Sequence, residues 1–354
     1  MEEIFNNELD SYLKRIVDTP TPSGFEQHGQ EYFKSVMKPY SDSIYTDIIG
    51  NVIAHKKGQG KQKLMISAHI DEIGFMVKYI DDNGMLYIVP IGGIDFMLLP
   101  GLRLVVHHDG NSFLGIVGRK PIHLLNELER KNFIMEDTWL DLGFTSKSHA
   151  LLSVAIGDIV TFGTDISHIS DDYVVGHSLD NKIGSMILLG IVKQLEHITP
   201  EYDTYFVSTV QEEIGLRGSI PATSMINPDL AIIIDATHAT DYPTTNVKVH
   251  GDIRLGAGPA ICISPDTNKD LIEKLQKMAI NNNINIQIEA HPNASGTEAK
   301  AVQLVRKGTK TGIVSFPVRY MHSPSEMVSI KDVNSIIQLL TIFCTCDEKN
   351  NQIN

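Results

Sequence analysis

Apolar positions change their period along the chain, and the changes mark its parts. Ile4, Phe5, Leu9, Tyr12, Leu13, Ile16 and Val17 recur near every 3.6 residues and predict an opening helix. A Thr-Pro-Thr-Pro-Ser-Gly turn (19–24) separates it from a second helix through Phe25, Phe33 and Val36. Residues 63–68 read as a short buried strand ending at His69. From Gly74 to about Phe162 the pattern becomes β-rich. Short runs at 75–80, 85–89, 102–106, 114–117 and 158–162 lie between turn signals such as Asp81-Asp82-Asn83-Gly84 and His108-Asp109-Gly110. Only 122–131 looks helical there. Beyond about His168 helices and strands alternate again. Leu179, Ile183, Ile187, Ile191, Leu195 and Ile198 form an amphipathic stripe. Strands are predicted at 204–210, 230–234, 260–263, 284–288 and 312–316, and helices at 268–280, 299–305 and 330–343.

Alternating strand and helix units imply an α/β fold, a mainly parallel central sheet with helices on both faces. An all-β block inside that array is most simply an inserted domain, of barrel or PDZ-like kind. The expected organisation is a discontinuous catalytic domain, 1–73 and 168–354, interrupted by a β-rich insert at 74–167. The tail 348–354 is expected to fray. Composition narrows the possibilities. The 354 residues carry a formal net charge of −13, which disfavours nucleic acid and anionic membranes as partners. The first residues lack the basic and apolar regions of a signal peptide. No uninterrupted apolar run reaches the roughly 18–20 residues that span a bilayer. Cys262, Cys344 and Cys346 have no CxxC spacing, so no disulfide framework is expected. The chain reads as soluble, acidic and cytoplasmic.

The polar residues that need explaining sit at the ends of predicted strands. His69 and Asp71 are two apart and share a face of an extended segment, which suits a metal ligand and the acid that orients its ring. Asp180 opens a long helix, where capping is the plainer explanation. Glu212 and Glu213 come directly after a buried strand, Asp235 ends another, and His322 comes after a third. Each is weak alone. Together they gather where ligands of open α/β sheets bind, outside the carboxyl ends of strands. Two His with three Asp/Glu suit a pair of borderline divalent ions such as zinc, cobalt or manganese. Asp180, Glu213 and Asp235 with one hydroxide would balance the two ions. Glu212 is then left over to handle protons beside an activated water, as hydrolysis requires.

The stretches AHIDEIGFMV (68–77), HSLDNKIG (177–184), QEEIGLRGS (211–219), IIDATHAT (233–240) and FPVRYMHSPSEM (316–327) resemble the glutamyl/leucyl aminopeptidase family of dinuclear metallopeptidases. That family includes tetrahedral, dodecameric aminopeptidases, and some members carry an older endoglucanase label. GRKPIHLL (118–125) and LDLGFTSK (140–147) look like its insert region. The resemblance implies that His69 and Asp235 hold one metal, Glu213 and His322 the other, and that Asp180 bridges both. It makes Glu212 the general base and Asp71 the residue that orients His69, and it implies a cis Asp180–Asn181 peptide. It also implies that the insert mediates dimers, which assemble into a hollow dodecamer admitting short or unfolded peptides. Lys182 stands where Arg is typical, and Glu298 where Asp is usual. Neither is a ligand position.

The expected activity is therefore a metal-dependent aminopeptidase acting on short peptides with a free N-terminus. The rivals are a deacylase or carboxypeptidase-like amidohydrolase using the same site, and a non-catalytic assembly protein. A glycosidase is disfavoured because its carboxylates would be committed to ions. His238 and His291 are candidates for the cleft wall, and His177 for a partner of Asp180. His107 and His108 read as solvated. Arg319 is divided between a salt bridge and a substrate contact. The apolar stretches 94–99 and 133–142 of the insert would suit a subunit interface.

Overall fold

The computed structural model describes residues 4–131 and 134–346. The tail 348–354 and Phe133 lie outside the described residues. Four strands form the parallel centre of an eleven-stranded sheet, in the order Asp203–Thr209, Lys63–His69, Leu230–His238 and Lys310–Arg319. The flanks are antiparallel. Val52–Lys56 and Ser43–Thr46 extend one side, and Glu326–Ser329, Tyr173–Gly176 and Ser167–Ser170 the other. Ala260–Ile263 branches from Lys310–Arg319 and pairs in parallel with Gln287–Ala290. The sheet is therefore mixed, parallel only where helical crossovers return the chain to the same end. Short hairpins build the edges, and these give antiparallel pairs.

The strict alternation of side chains along a strand sorts the core into two layers. Leu64, Ile66, Phe206, Ile232 and Ile234 face helices Asn7–Val17, Leu179–Gln194, Lys269–Asn281 and Ile330–Thr345. Met65, Val207, Ala231, Ile233 and Ile313 point the other way, against Ala222 and Ile226 of Ser219–Ile226 and Ala299 and Val302 of Ala299–Val302. Helices thus cover both faces, as the alternation of elements predicts. Helix Leu179–Gln194 departs from its expected stripe. It is buried on all sides from Leu179 to Val192, because Asn7–Val17 and Ile330–Thr345 cover the side turned from the sheet.

The β-rich block closes into a six-stranded antiparallel barrel. Its strands, in order around the barrel, are Gly74–Ile80, Leu86–Ile91, Thr138–Asp141, Asn111–Arg119, Arg103–His108 and Ile159–Phe162. Phe75, Val77, Leu86, Leu104, Val106, Leu140 and Val160 fill its interior. The helix expected at 122–131 is instead a 3₁₀ turn, Ile122–Leu124, and a short helix, Glu127–Lys131. They are separated because Leu125 is extended, and Asn126 accepts from the Leu128 amide to start the second piece. Among the described residues, no helix is long and apolar enough to cross a membrane.

Candidate metal centre

Strand alternation delivers the first two side chains. His69 succeeds Met65 and Ser67 on one face of its strand, and Asp235 succeeds Ala231 and Ile233 on the same face of the neighbouring strand. Both therefore emerge at the carboxyl end of the parallel centre. Glu212 and Glu213 arrive just beyond strand Asp203–Thr209, after Gln211 turns the backbone in the left-handed region (φ 58°). Tyr320 and His322, both left-handed, turn the chain back after Lys310–Arg319. Asp180 comes from the opposite layer, at the start of helix Leu179–Gln194, and the Asp180–Asn181 peptide is cis.

The histidines face one shared carboxylate. His69 Nε2 lies 3.3 Å from Asp180 Oδ1 and 3.6 Å from Asp235 Oδ1. His322 Nε2 lies 3.6 Å from Asp180 Oδ2 and 3.3 Å from Glu213 Oε1. Asp180 thus turns one oxygen to each ring. Candidate ligand atoms of His69, Glu212 and Asp235 lie within 4.8 Å of one another, as do those of His69, Asp180 and Glu213.

A frame of buried hydrogen bonds holds these groups. Asp71 contributes twice: its backbone carbonyl faces His69 Nδ1 at 3.0 Å, and its carboxylate accepts from the amides of Glu212 (3.0 Å) and Glu213 (3.1 Å). The Asp71 carboxylate is farther from the ring, at 3.5 Å. The Glu326 carboxylate accepts from the amides of Asp180 (2.9 Å) and His322 (2.7 Å). Asn181 donates to Ile234 O and Asp235 Oδ1 and accepts from Gly184 N, which joins the helix start to the metal-facing strand. Glu26 accepts from the amide of Gln211. Sequence reasoning assigned no role to Glu326, Asn181 or Glu26. Each lies among other polar residues, Asn181 between Asp180 and Lys182, Glu26 before Gln27 and Glu326 after Ser325, so the local pattern did not single it out.

The electrostatics are those of a site built for cations. Burial pushes Glu212 up to about 10, and repulsion from Asp235, Glu213 and Asp71 adds to it, with His69 pulling the other way. Burial also raises Glu213 and Asp235, each further repelled by Asp180. His322 rises to about 11, burial opposing the shift and Asp180 and Glu213 outweighing it. Burial opposes ionisation of Asp180 as well, but His322 and His69 hold it well below the usual carboxylate range. Asp180 Oδ1 is buried and accepts no hydrogen bond. An orphaned carboxylate oxygen among mutually repelling acids and two imidazoles fits divalent cations, which would satisfy the oxygen and offset the repulsion.

Residues 50–339 match the M42 glutamyl aminopeptidase family. This chain is a member of that family. A lysyl aminopeptidase of Pyrococcus furiosus is 34% identical, covering 92% of this chain and 94% of its own. The TET aminopeptidase of Thaumarchaeota archaeon SCGC AB-539-E09 superposes with a TM-score of 0.92 at 28% identity, covering 97% and 98% of the two chains. The TET1 peptidase of Pyrococcus horikoshii, described as assembling into a tetrahedron or a large octahedral shell, superposes at 0.84 with 30% identity, covering 95% and 99%.

The remaining candidates of this peptidase separate cleanly. A cleft of about 650 Å³ opens over the histidine–carboxylate cluster, and His238 and His291 line it. His177 is turned away from Asp180; its Nδ1 meets Thr164 O at 2.7 Å and its Nε2 lies 3.7 Å from Glu72. Arg319 forms a two-pronged salt bridge with Asp241, at 2.8 and 2.6 Å. His107 and His108 are not simply solvated. They bond to Thr161 and Asp158, respectively, on the strand rim of the barrel. Lys182 is fully buried, 3.0 Å from Glu72. Glu298 is fully buried as well, and burial pushes its carboxyl up to about 7.

Proposed function

We propose that this chain is a dinuclear metallo-aminopeptidase that removes the first residue of short peptides with a free N-terminus. The observation that carries the reading is Asp180, whose two oxygens face His69 and His322 separately. On this reading His69 and Asp235 hold one ion, Glu213 and His322 the other, and Asp180 both. Zinc suits the ligand set best, with cobalt or manganese as alternatives. Such ions supply Lewis acidity towards the scissile carbonyl and lower the pKa of water from about 15.7 towards about 7. Glu212 takes the proton from the attacking water and returns it to the leaving amine. Asp71 is a positioning residue: it aims His69 through its carbonyl and fixes the backbone of Glu212 and Glu213 through its carboxylate. The acidic cleft draws in the cationic α-amine. Aminoacyl-anilides and N-acetylated amino acids, offered to apoenzyme reloaded with zinc, cobalt or manganese, test the reading. Cleavage confined to the free-amine substrates is expected. Turnover confined to acetylated amino acids would make the chain a deacylase.

We also propose that residues 74–167 drive assembly. The insert leaves Leu114, Ile116, Leu124, Ile134 and Leu152 more than half exposed on one chain, and this is apolar surface that a subunit interface would bury. Dimers building a closed shell of twelve chains would cover it and would exclude folded proteins from the active sites. Light scattering on metal-loaded protein should show that large species, or dimers as its resting form. A monomer near 39 kDa across dilution would refute the assigned role.

A further inference from the structure

Beyond the metal-facing cluster, the charged groups that line the cleft are Glu289 and Lys300, with His238 and His291 also in its wall. The two charges are held differently. Glu289 stands on strand Gln287–Ala290, and its side chain is only 14% exposed. Thr237 Oγ1 donates to Glu289 Oε1 at 2.6 Å, and His291 Nε2 lies 3.0 Å from the same oxygen. Oε2 meets no donor among the described residues, so one carboxylate oxygen is left for a ligand. Lys300, on the short helix Ala299–Val302, is exposed, so water screens its charge more than it screens that of Glu289. Strand geometry fixes the reach. Asp235 and Thr237 are two residues apart on one face of Leu230–His238, which separates them by about 6.6 Å. Asp235 faces the dinuclear centre and Thr237 holds Glu289. The four-carbon stem of a lysine side chain spans about that distance. Leu216, Cys262 and Met321 line the same cleft and offer apolar surface to its methylenes.

We propose that Glu289 selects peptides whose first residue carries a cationic side chain, lysine or arginine. This selectivity rests on the aminopeptidase reading, in which the α-amine docks at the dinuclear centre. The first residue's side chain then starts beside Asp235 and extends along the wall to Glu289. There Oε2 accepts from the ammonium or guanidinium, while Thr237 keeps the carboxylate from swinging away. A leucyl side chain is too short to reach it, and a glutamyl side chain would meet a like charge. A charge-assisted hydrogen bond in a wall so little exposed is worth about tenfold or more in kcat/KM.

The test compares lysyl-, norleucyl-, leucyl- and glutamyl-anilides on the metal-loaded full chain, with kcat and KM measured separately. Norleucine has the stem of lysine without the ammonium, so the lysyl-to-norleucyl ratio isolates the charge. The wild type should favour the lysyl substrate by about tenfold or more. Glu289→Gln keeps the outline of the side chain and should erase that preference, mainly through KM. Glu289→Lys should turn the preference towards the glutamyl substrate. Calorimetry with free lysine and free norleucine makes the same comparison without turnover: lysine should bind the wild type more tightly, and Glu289→Gln should remove the difference. Equal use of lysyl and norleucyl substrates by the wild type, or a lysyl preference that survives Glu289→Gln, would overturn the role of Glu289 and leave the aminopeptidase reading intact. So would a glutamyl preference that Lys300→Ala abolishes. Failure to cleave any of the anilides would instead refute the aminopeptidase reading, and the selectivity would fall with it.

Discussion

Glu326→Gln provides a sharp test of how the centre is held together. In the native chain one buried carboxylate accepts two backbone amides, those of Asp180 and His322, and so sets the spacing of two candidate ligands. Glutamine has one acceptor and one donor in the same outline. Whichever way the amide turns, its NH₂ confronts a backbone N–H that no longer has an acceptor. Leaving a buried donor unsatisfied costs about 1–3 kcal/mol. If the chain relieves this by moving Asp180 or His322, that cost appears as lost metal affinity of roughly 5–150-fold. Residues that support metal ligands in other proteins are worth about 10–100-fold when removed, within the same range. The ion assigned to Glu213 and His322 should suffer more, because both the shared aspartate and its own histidine depend on Glu326. Titration of apoenzyme against a chromophoric chelator should therefore show two unequal affinities, with the weaker site shifted most. Melting of the metal-free proteins separates this effect from general loss of fold. Two ions bound as tightly as in wild type would refute the idea that Glu326 spaces the ligands.

The same geometry sets three further outcomes. Glu212→Gln should keep the full metal complement and lower turnover by roughly 10²–10⁴, the usual worth of a general base; near-normal activity at full occupancy would remove Glu212 from the mechanism. Asp180→Ala should bind fewer than two ions per chain and be inactive, as measured by elemental analysis; two tightly held ions would contradict the bridging role. Lys182→Met leaves Glu72 buried without its cation and should cost about 3–5 kcal/mol, seen as a fall in Tm of roughly 6–20 °C, whereas Lys182→Arg should recover most of it. Burial opposes ionisation of Glu72, but Lys182 and His177 outweigh it and hold the group below its ordinary range. Its contribution is thus present above the ordinary carboxylate pKa and lost on acidification through the lower folded value, so the Lys182→Met deficit should shrink in acid.

Most of the candidate metal-facing positions were legible because they end or follow an apolar run, whereas Asp180 opens one. Residues 64–68 and 230–234 can only be buried strands, and the residues just beyond them must lie at the sheet's carboxyl edge. Other elements lacked such a signal. Ser43–Thr46 is four residues long and never fully buried, so no alternation stands out. Ser219–Ile226 carries a proline near its start and no helical stripe. The strand expected at 284–288 runs instead over Gln287–Ala290. Asn283 adopts a left-handed conformation (φ 55°) and the Ile284 amide bonds back to Ala279 O, so Ile284 closes the preceding helix rather than opening a strand. That shift of three residues sets Glu289 opposite Cys262 and carries His291 into the wall of the cleft.

The carboxylates show where a sequence pattern stops being informative. Asp71, Asp180, Glu212, Glu213, Asp235 and Glu326 all lie at the same end of one sheet, and spacing alone makes each an equal candidate for a ligand. What separates them is the number of amide donors each oxygen meets. Asp71 and Glu326 have both oxygens engaged by backbone N–H groups, so neither has a lone pair aimed at the cleft with comparable freedom. Asp180 has an oxygen that accepts nothing from the protein. Hydrogen-bond satisfaction therefore marks Asp71 and Glu326 as supporting acids and Asp180 as a candidate ligand, while Asp235, whose Oδ1 accepts from Asn181 and from the Ala236 amide, lies between them. This division also explains why the site tolerates so much like charge. The two supporting carboxylates accept four backbone amides between them, yet burial and repulsion from Asp180 still press Glu326 towards its neutral form, so cations at Asp180 would relieve it as well.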